Sequence, residues 1–343
     1  MAATQNDGEL LQKWLQEQVN GLTTVQDAEQ KAQEITEKLK EDFEEAWKKL
    51  RDSLTNSEAS EITGFCDVPV ARAVETAEKN GENQMRNEYV KDLCKGLMGI
   101  RYFMSGITEL SGRSVKVETD LTEDKWFARC TVGMLALSDI YGDHCKLDKV
   151  IGYVSDNVEG NLRKHTKGGL GDWMIGKCEG KVDANALLMG RAILGDKIKD
   201  WATGNRGGPG NSPWRVKQLW SSKWRYVCPT TKGSSKITDE EKKDELNRNK
   251  DSMTKLMKLD TNSQNKNSIV PLSDVLIGES KDYSLDLGKL TKVFENAIQN
   301  NNTATADLAE TIMKEITKAS EDQLGKYYII KTLKYSCINI IHY

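Results

Sequence analysis

Apolar residues recur every three or four positions through most of the first 230 residues, the spacing that places them on one face of an α-helix. The clearest case covers residues 25–54, where the opposite face is dense in Glu and Lys. Shorter or more glycine-rich stripes cover residues 10–19 and 85–107. Period-two alternation of β-branched residues is hard to find, so the pattern predicts an all-α fold.

The stretch at residues 126–151, WFARCTVGMLALSDIYGDHCKLDKVI, contains the longest continuous apolar run before the C-terminal tail. Between Cys130 and Leu137 nearly every residue is small or apolar, which is typical of a helix contacted on several sides. Thr122 precedes this stretch at a position suited to an N-cap, and Asp183 is likewise predicted to cap the helix that begins after it. We therefore predict a buried helix at the centre of a helical bundle.

The composition divides the chain into three parts. Residues 1–229 hold the striped segments and all eight tryptophans, and we predict that they form the main helical domain. Residues 230–324 are richer in Lys, Asp, Asn, Ser and Thr, and are predicted to form a smaller, looser helical region. Residues 325–343 form an atypical tail rich in Tyr, Ile and Lys. Within the first part, the polar residues 111–122 are predicted to form a loop.

Charge and hydropathy exclude several classes of protein. The 49 basic and 52 acidic residues are spread along all 343 positions and give a formal net charge of −3, so nucleic acid is not an expected partner. No stretch reaches the roughly 18 uncharged apolar residues of a membrane span, and the polar N-terminus does not resemble a signal peptide. These features taken alone predict a cytosolic protein without a transmembrane segment.

The number and spacing of the cysteines do not fit a cytosolic protein as readily. Six of the seven are spread singly across the middle of the chain: Cys66, Cys94, Cys130, Cys145, Cys178 and Cys228. An even number of widely spaced cysteines suits three disulfides formed in an oxidising compartment. Buried free thiols in a reducing compartment account for the same residues equally well. The residues themselves leave both interpretations open, and six cysteines allow fifteen pairings.

Candidate catalytic motifs are weak. Residues 171–178, GDWMIGKC, approach a phosphate-binding loop, but Cys178 replaces its Ser or Thr and no strand precedes it. In Asp143-His144-Cys145 the side chains are sequence neighbours that would point in different directions on a helix, so we interpret His144 as a helix-terminal residue. Without closely spaced ligand pairs, the cysteines do not indicate zinc. We predict no catalytic, cofactor or metal site, and hence a non-enzymatic protein.

Two further motifs lie nearer the C-terminus. Trp214, Trp220 and Trp224 alternate with basic residues, and we interpret them as filling a gap over the helical core rather than as a platform that stacks on bases or sugars. The sequence Asn301-Asn302-Thr303 matches the acceptor pattern for N-glycosylation at Asn301.

Three segments carry a family resemblance: ARCTVGMLALSDIYGDHCKLDKVI, the preceding KDLCKGLMGIRYFMSGI, and the later WRVKQLW with YVC. Together with the opening WLQEQV, they resemble the extracellular alpha domain of the schizont-infected cell agglutination (SICA) antigens of knowlesi-type malaria parasites. The resemblance covers about residues 10–228 and is looser beyond Pro229.

The resemblance implies a variant surface antigen of infected erythrocytes, exported to the cell surface and involved in antigenic variation. Its implied partners are host antibodies and host-cell surface receptors, and it implies three disulfides among the six cysteines. Full-length family members are membrane-anchored, and we interpret residues 325–343 as the product of a truncated or mis-joined reading frame. The alternative is a cytosolic helical scaffold that binds partners through the acidic residues 34–45 and keeps its cysteines reduced.

Overall fold

The computed structural model describes a set of separate ranges along the chain: residues 9–19, 28–55, 66, 83–111, 114–118, 121–155, 176–205, 238–258, 272–278, 285–300, 308, 311–316 and 318–319. Within these ranges the chain is mostly helical, which confirms the all-α prediction. Their α-helices, in chain order, are α1 (Glu9–Val19), α2 (Ala28–Thr55), α3 (Asn83–Ser105), α4 (Glu123–Ala136), α5 (Leu147–Tyr153), α6 (Ala184–Leu194), α7 (Lys197–Asn205), α8 (Asp239–Leu256), α9 (Leu272–Ile277) and α10 (Leu287–Asn300).

Helix α2 is the longest described helix and follows the predicted stripe. Good helix formers fill its 28 residues, and its buried face includes Ile35, Leu39 and Phe43. Two polar side chains on this face are also buried, Thr36 and Asp42, and Asp42 accepts a 3.2 Å hydrogen bond from the indole Nε1 of Trp14 in α1. The charged residues on the opposite face are mostly exposed to solvent, while the apolar face packs on the bundle.

Helix α4 is the centre of the bundle, as the sequence predicts. Every residue from Trp126 to Ala136 is buried, and α1, α2, α3 and α6 all pack against the helix. The ring of Phe127 lies 5.8 Å from that of Trp14 and 5.5 Å from that of Phe43. Burial on all sides explains why this stretch shows no polar face in the sequence.

The prediction of one helix through residues 126–151 was wrong. The α-helical hydrogen bonding ends at Ala136, and a π-helix (Leu137–Tyr141) follows before the chain turns into α5. Lys146, at the N-cap of α5, has a positive φ of 67°, which no α-helix tolerates. The apolar periodicity crosses this turn without interruption because α4 and α5 both bury apolar residues in the same core.

The predicted loop at residues 111–122 was also wrong in part. Helix α3 ends at Ser105, Gly106 adopts a positive φ of 67°, and two short strands then pair antiparallel as β1 (Ile107–Ser111) and β2 (Ser114–Val117). A hairpin of this length offers only two or three alternating positions per strand. Period-two patterning is too short here to stand out from a polar loop.

Helix starts follow the predicted capping residues to different degrees. Asp183 caps α6 through a 2.8 Å bond from the backbone N–H of Ala186 to its carboxylate. Helix α4 begins directly after Thr122, but the Thr122 hydroxyl contacts the side chain of Asp124 and makes no bond to the helix backbone. Thr238 and Glu241 form a reciprocal capping box at the start of α8.

The helices after residue 238 lie on the same core as the earlier ones. Helix α10 packs against α2 and α6, α9 packs against α6, and α8 packs against α5. The predicted division at residue 229 stays a prediction, as do the limits of the tail at 325–343, which lies outside the described residues. Among the described helices, none is both long and apolar enough to cross a membrane.

Candidate functional site

Four of the six candidate cysteines form two disulfides. Cys66 bonds to Cys94 in α3, with the Cα atoms 5.8 Å apart, and Cys130 in α4 bonds to Cys178, with the Cα atoms 5.4 Å apart. All four side chains are fully buried. The bonds close loops with sequence separations of 28 and 48 residues, so each constrains a long stretch of the unfolded chain.

Cys145 is disulfide-bonded as well. The other described cysteines are bonded to one another, so its partner lies outside the described residues, as does Cys228. A sulfur atom held in a disulfide has no thiolate to act as a nucleophile. The cysteine-histidine arrangement at Asp143-His144-Cys145 therefore has no catalytic cysteine.

His144 is fully buried in the turn that joins the π-helix to α5, three residues after the π-helix ends. The Tyr89 hydroxyl of α3 lies 3.2 Å from His144 Nδ1 and 3.1 Å from the carbonyl oxygen of Cys145. A tyrosine has one hydroxyl proton and a carbonyl can only accept. Since the hydroxyl donates its proton to the Cys145 carbonyl, its bond to His144 requires a proton on Nδ1. The two contacts together therefore select the Nδ1-protonated tautomer of His144.

The same turn is held from its other side by Asn249 of α8. Its side-chain amide, fully buried, donates to the carbonyl oxygens of Gly142 and His144, both at 2.8 Å. Gly142 also leaves no room for a side chain, because an added Cβ would meet the backbone of Ser138 and the side chain of Leu246. The turn at residues 142–145 thus has a backbone fixed by side chains of two different helices.

The segment around Cys178 is tied by charge as well as by sulfur. Glu179 accepts from Arg101 of α3 at 2.6 Å and from Lys258 at 2.7 Å, and the side chains of Arg101 and Glu179 are both buried. Lys177 pairs with Glu123 at the start of α4. A buried pair of this kind is costly to break because it leaves one charge uncompensated. Residues 177–179 therefore fasten α3, α4 and the chain after α8 together.

A second charged cluster holds the hairpin. Glu118, directly after β2, accepts from Arg129 of α4 and Lys49 of α2 at 2.6 Å and 2.5 Å. The Arg129 guanidinium also donates to the carbonyl of Phe103 and lies over its ring, 4.1 Å from the centroid. These two cations border a shallow groove between α2 and α4, and both already contact Glu118. The groove does not indicate an anion-binding site.

Three pKa shifts have clear physical causes. A hydrogen bond to Asp42, 2.6 Å long, holds the pKa of Lys38 above its usual value. Burial raises the pKa of Glu17, and the nearby carboxylates Asp124 and Glu123 raise it further. Burial alone raises the pKa of Tyr102 far above its ordinary value. Burial, a hydrogen bond and neighbouring carboxylates account for these shifts, which therefore report packing and ion pairing.

Several predicted features fall outside the described residues: the tryptophans Trp214, Trp220 and Trp224, Asn301, and residues 171–175 of the loop-like motif. The end of that motif is described, and Cys178 there is bonded to Cys130. Among the described residues, no group of three or more His, Cys, Asp or Glu side chains is arranged to hold a metal ion.

The polar residues that organise the core were not found by inspection of the sequence. Asn249 had a detectable signal: it follows Glu245 and precedes Met253 at a spacing of four, in line with the buried face of α8. A polar residue in such a register predicts a buried hydrogen bond. Tyr89 lay in the predicted stripe of α3, but nothing in its spacing distinguishes a hydrogen-bonded tyrosine from an apolar core residue.

Comparison with known families gives one finding. The family model described as the SICA extracellular alpha domain matches residues 8–201, which is more than half of the chain and confirms the resemblance seen in the sequence. Comparison with curated proteins and with solved structures gave no match.

Proposed function

The chain belongs to the family defined by the SICA extracellular alpha domain, whose members are variant surface antigens, and we propose that it is displayed on the surface of malaria-infected erythrocytes. The proposal rests on the family match over residues 8–201, a segment that also contains both buried disulfides. Disulfides persist in oxidising surroundings and are rare in the reducing cytosol. The proposed role is non-enzymatic, with host antibodies and host-cell receptors as partners.

The division between core and exterior supports a role in antigenic variation. The outer face of α2 exposes Glu34, Glu37, Glu41 and Glu45 to solvent, while its inner face is apolar and buried. Substitutions at exposed positions usually change stability by no more than about 0.5 kcal/mol. Such a face can vary in sequence, and so escape antibodies, while the disulfide-bonded core keeps the fold.

Surface labelling of intact infected erythrocytes tests the proposal. A membrane-impermeant amine reagent should label this protein in intact cells, since Lys40 and Lys48 are exposed on α2. A parasite cytosolic protein serves as the control and should be labelled only after permeabilisation. Labelling of this protein only after permeabilisation would instead support the cytosolic scaffold.

The redox state gives a second, independent test. Peptide mapping of protein from infected cells, without reduction and with free thiols alkylated at lysis, should recover the peptides of Cys66 with Cys94 and of Cys130 with Cys178 as linked pairs. A surface antigen in an oxidising compartment requires these bonds. Recovery of alkylated free cysteines at all four positions would contradict the proposed display and favour the scaffold.

A further inference from the structure

The family match ends at residue 201, yet the helices that follow bury their apolar faces on the matched part. Helix α10 lies along α2, and its Leu290 and Phe294 side chains are fully buried. The hydroxyl of Thr291 lies 3.1 Å from the hydroxyl of Thr36, across the contact between the two helices. A linker or an independent neighbouring domain would leave the part of α2 around Thr36 uncovered.

Helix α8 makes polar contacts of the kind found inside a core. Its Asn249 supplies both hydrogen bonds to the backbone of the turn at residues 142–145. At the end of the same helix, the Met257 carbonyl accepts a 2.9 Å bond from the Gly180 amide, and Lys258 pairs with Glu179. These bonds tie α8 to both segments that flank the disulfide-bonded cysteines Cys145 and Cys178.

One arginine of the matched part holds the end of helix α9 in addition to the packing between α9 and α6. Arg191 of α6 donates to the carboxylate of Asp139 in the π-helix and to the backbone carbonyl of Leu276, both at 2.6 Å. Leu276 itself is fully buried. Without α9, the second guanidinium nitrogen of Arg191 would lose its acceptor. Without the guanidinium, the Leu276 carbonyl at the end of α9 would lose its donor.

We infer that α8, α9 and α10 complete the alpha domain: the folding unit extends from α1 to α10, and the family-matched segment carries a docking surface for residues 239–300 of its own chain. Three separate helices reach this surface, through apolar burial, a buried amide and a shared arginine. The inner face of α2 and the turn at residues 142–145 are consequently hidden from antibodies and receptors in the whole protein. This extends the domain by about one hundred residues or more beyond the family match, since Ile312 and Ile316 are also buried in the same core.

Hydrogen exchange on the full-length protein tests the inference. Phe294→Ala removes a buried ring from α10, and in a single folding unit the slowest amides of α2 and α4 should then exchange on the order of 100-fold faster. Lys292→Ala, at an exposed position of the same helix, is the matched control and should leave exchange in α2 unchanged. Faster exchange confined to α8–α10, with α2 and α4 at wild-type rates, would overturn the inference.

A milder variant covers the case in which Phe294→Ala does not fold. Ile298→Val removes one buried methylene from α10 and should speed exchange in α2 by roughly 3- to 10-fold. Loss of the whole fold in Phe294→Ala together with this graded effect would support one unit. Wild-type exchange of α2 in Ile298→Val, with faster exchange in α10 itself, would contradict it.

Discussion

The centre of the bundle and the C-terminal helices are held by different forces. Helices α3 and α4 are cross-linked by disulfides that fix them to other parts of the chain. Residues 239–300 contain no cysteine, and α8, α9 and α10 are held by apolar burial and side-chain hydrogen bonds to the backbone. The disulfides still restrict the chain after it unfolds. The apolar contacts and hydrogen bonds of α8, α9 and α10 are lost as soon as these helices separate from the bundle. The two regions should therefore respond differently to reduction and to substitution.

The largest effect should come from removal of the disulfide at the centre. In Cys130→Ala with Cys178→Ala, the free energy of unfolding should fall by about 4 kcal/mol, because the unfolded chain regains the entropy of a 48-residue loop. Urea unfolding measures this. The bond between Cys66 and Cys94 closes a shorter loop of 28 residues. The matched double variant, Cys66→Ala with Cys94→Ala, should therefore lose about 0.5 kcal/mol less of the free energy of unfolding. Equal stability of the parent and the first variant would show that the bond does not constrain the unfolded state.

The second effect should come from the buried amide of α8. Asn249→Ala removes the donor to the Gly142 carbonyl and one of the two donors to the His144 carbonyl, which keeps a longer bond from the Leu147 N–H, and stability should fall by about 2 kcal/mol. Asn247→Ala is the control, since the Asn247 amide donates to the Lys243 carbonyl of its own helix and lies nearer solvent. Thermal unfolding compares the two variants. An unchanged midpoint for Asn249→Ala would mean that water replaces the amide without cost.

Alanine substitutions at two glycines of α3 should have smaller effects on stability, and the two effects should differ. A methyl group at Gly96 would overlap the ring of Tyr141, whereas at Gly99 it would meet only the end of the Leu54 side chain, at 3.1 Å. We expect Gly96→Ala to destabilise the protein by about 1 kcal/mol, the cost of overpacking less the gain in helix propensity. Gly99→Ala should be neutral or slightly stabilising. Equal unfolding midpoints for the two variants would contradict the predicted close approach at Gly96.

The smallest effect at neutral pH should come from Tyr102→Phe. The buried Tyr102 hydroxyl has no hydrogen-bond partner among the described residues, so its loss should change the free energy of unfolding by less than about 1 kcal/mol at pH 7. Burial raises the pKa of Tyr102 in the folded protein, and the unfolded state ionises first, near pH 10. The contribution of neutral Tyr102 to stability is thus fully present below pH 10 and is lost as the pH rises. The variant should unfold less readily than the parent above pH 10, and parallel pH profiles would exclude this cause.

Local patterns predicted some elements well. The stripe of α2, the N-cap at Asp183 and the burial of α4 all depend on residues close in sequence, and the structure confirms them. The break after Ala136 escaped prediction because its causes are distant: Gly142 packs on Leu246 of α8, and Asn249 holds the turn from more than one hundred residues away. The hairpin β1–β2 escaped because four or five residues cannot establish a period of two.

The sequence by itself determined the helical class, the central helix and the family, because each depends on spacing and motifs read along one stretch of chain. It left open which cysteines pair, since fifteen pairings are compatible with the same six positions. Only the tertiary structure decided that Cys130 meets Cys178 and that α10 lies on α2. Those contacts join residues 48 and more than 200 positions apart, and they follow from how several buried faces share one core rather than from any local preference.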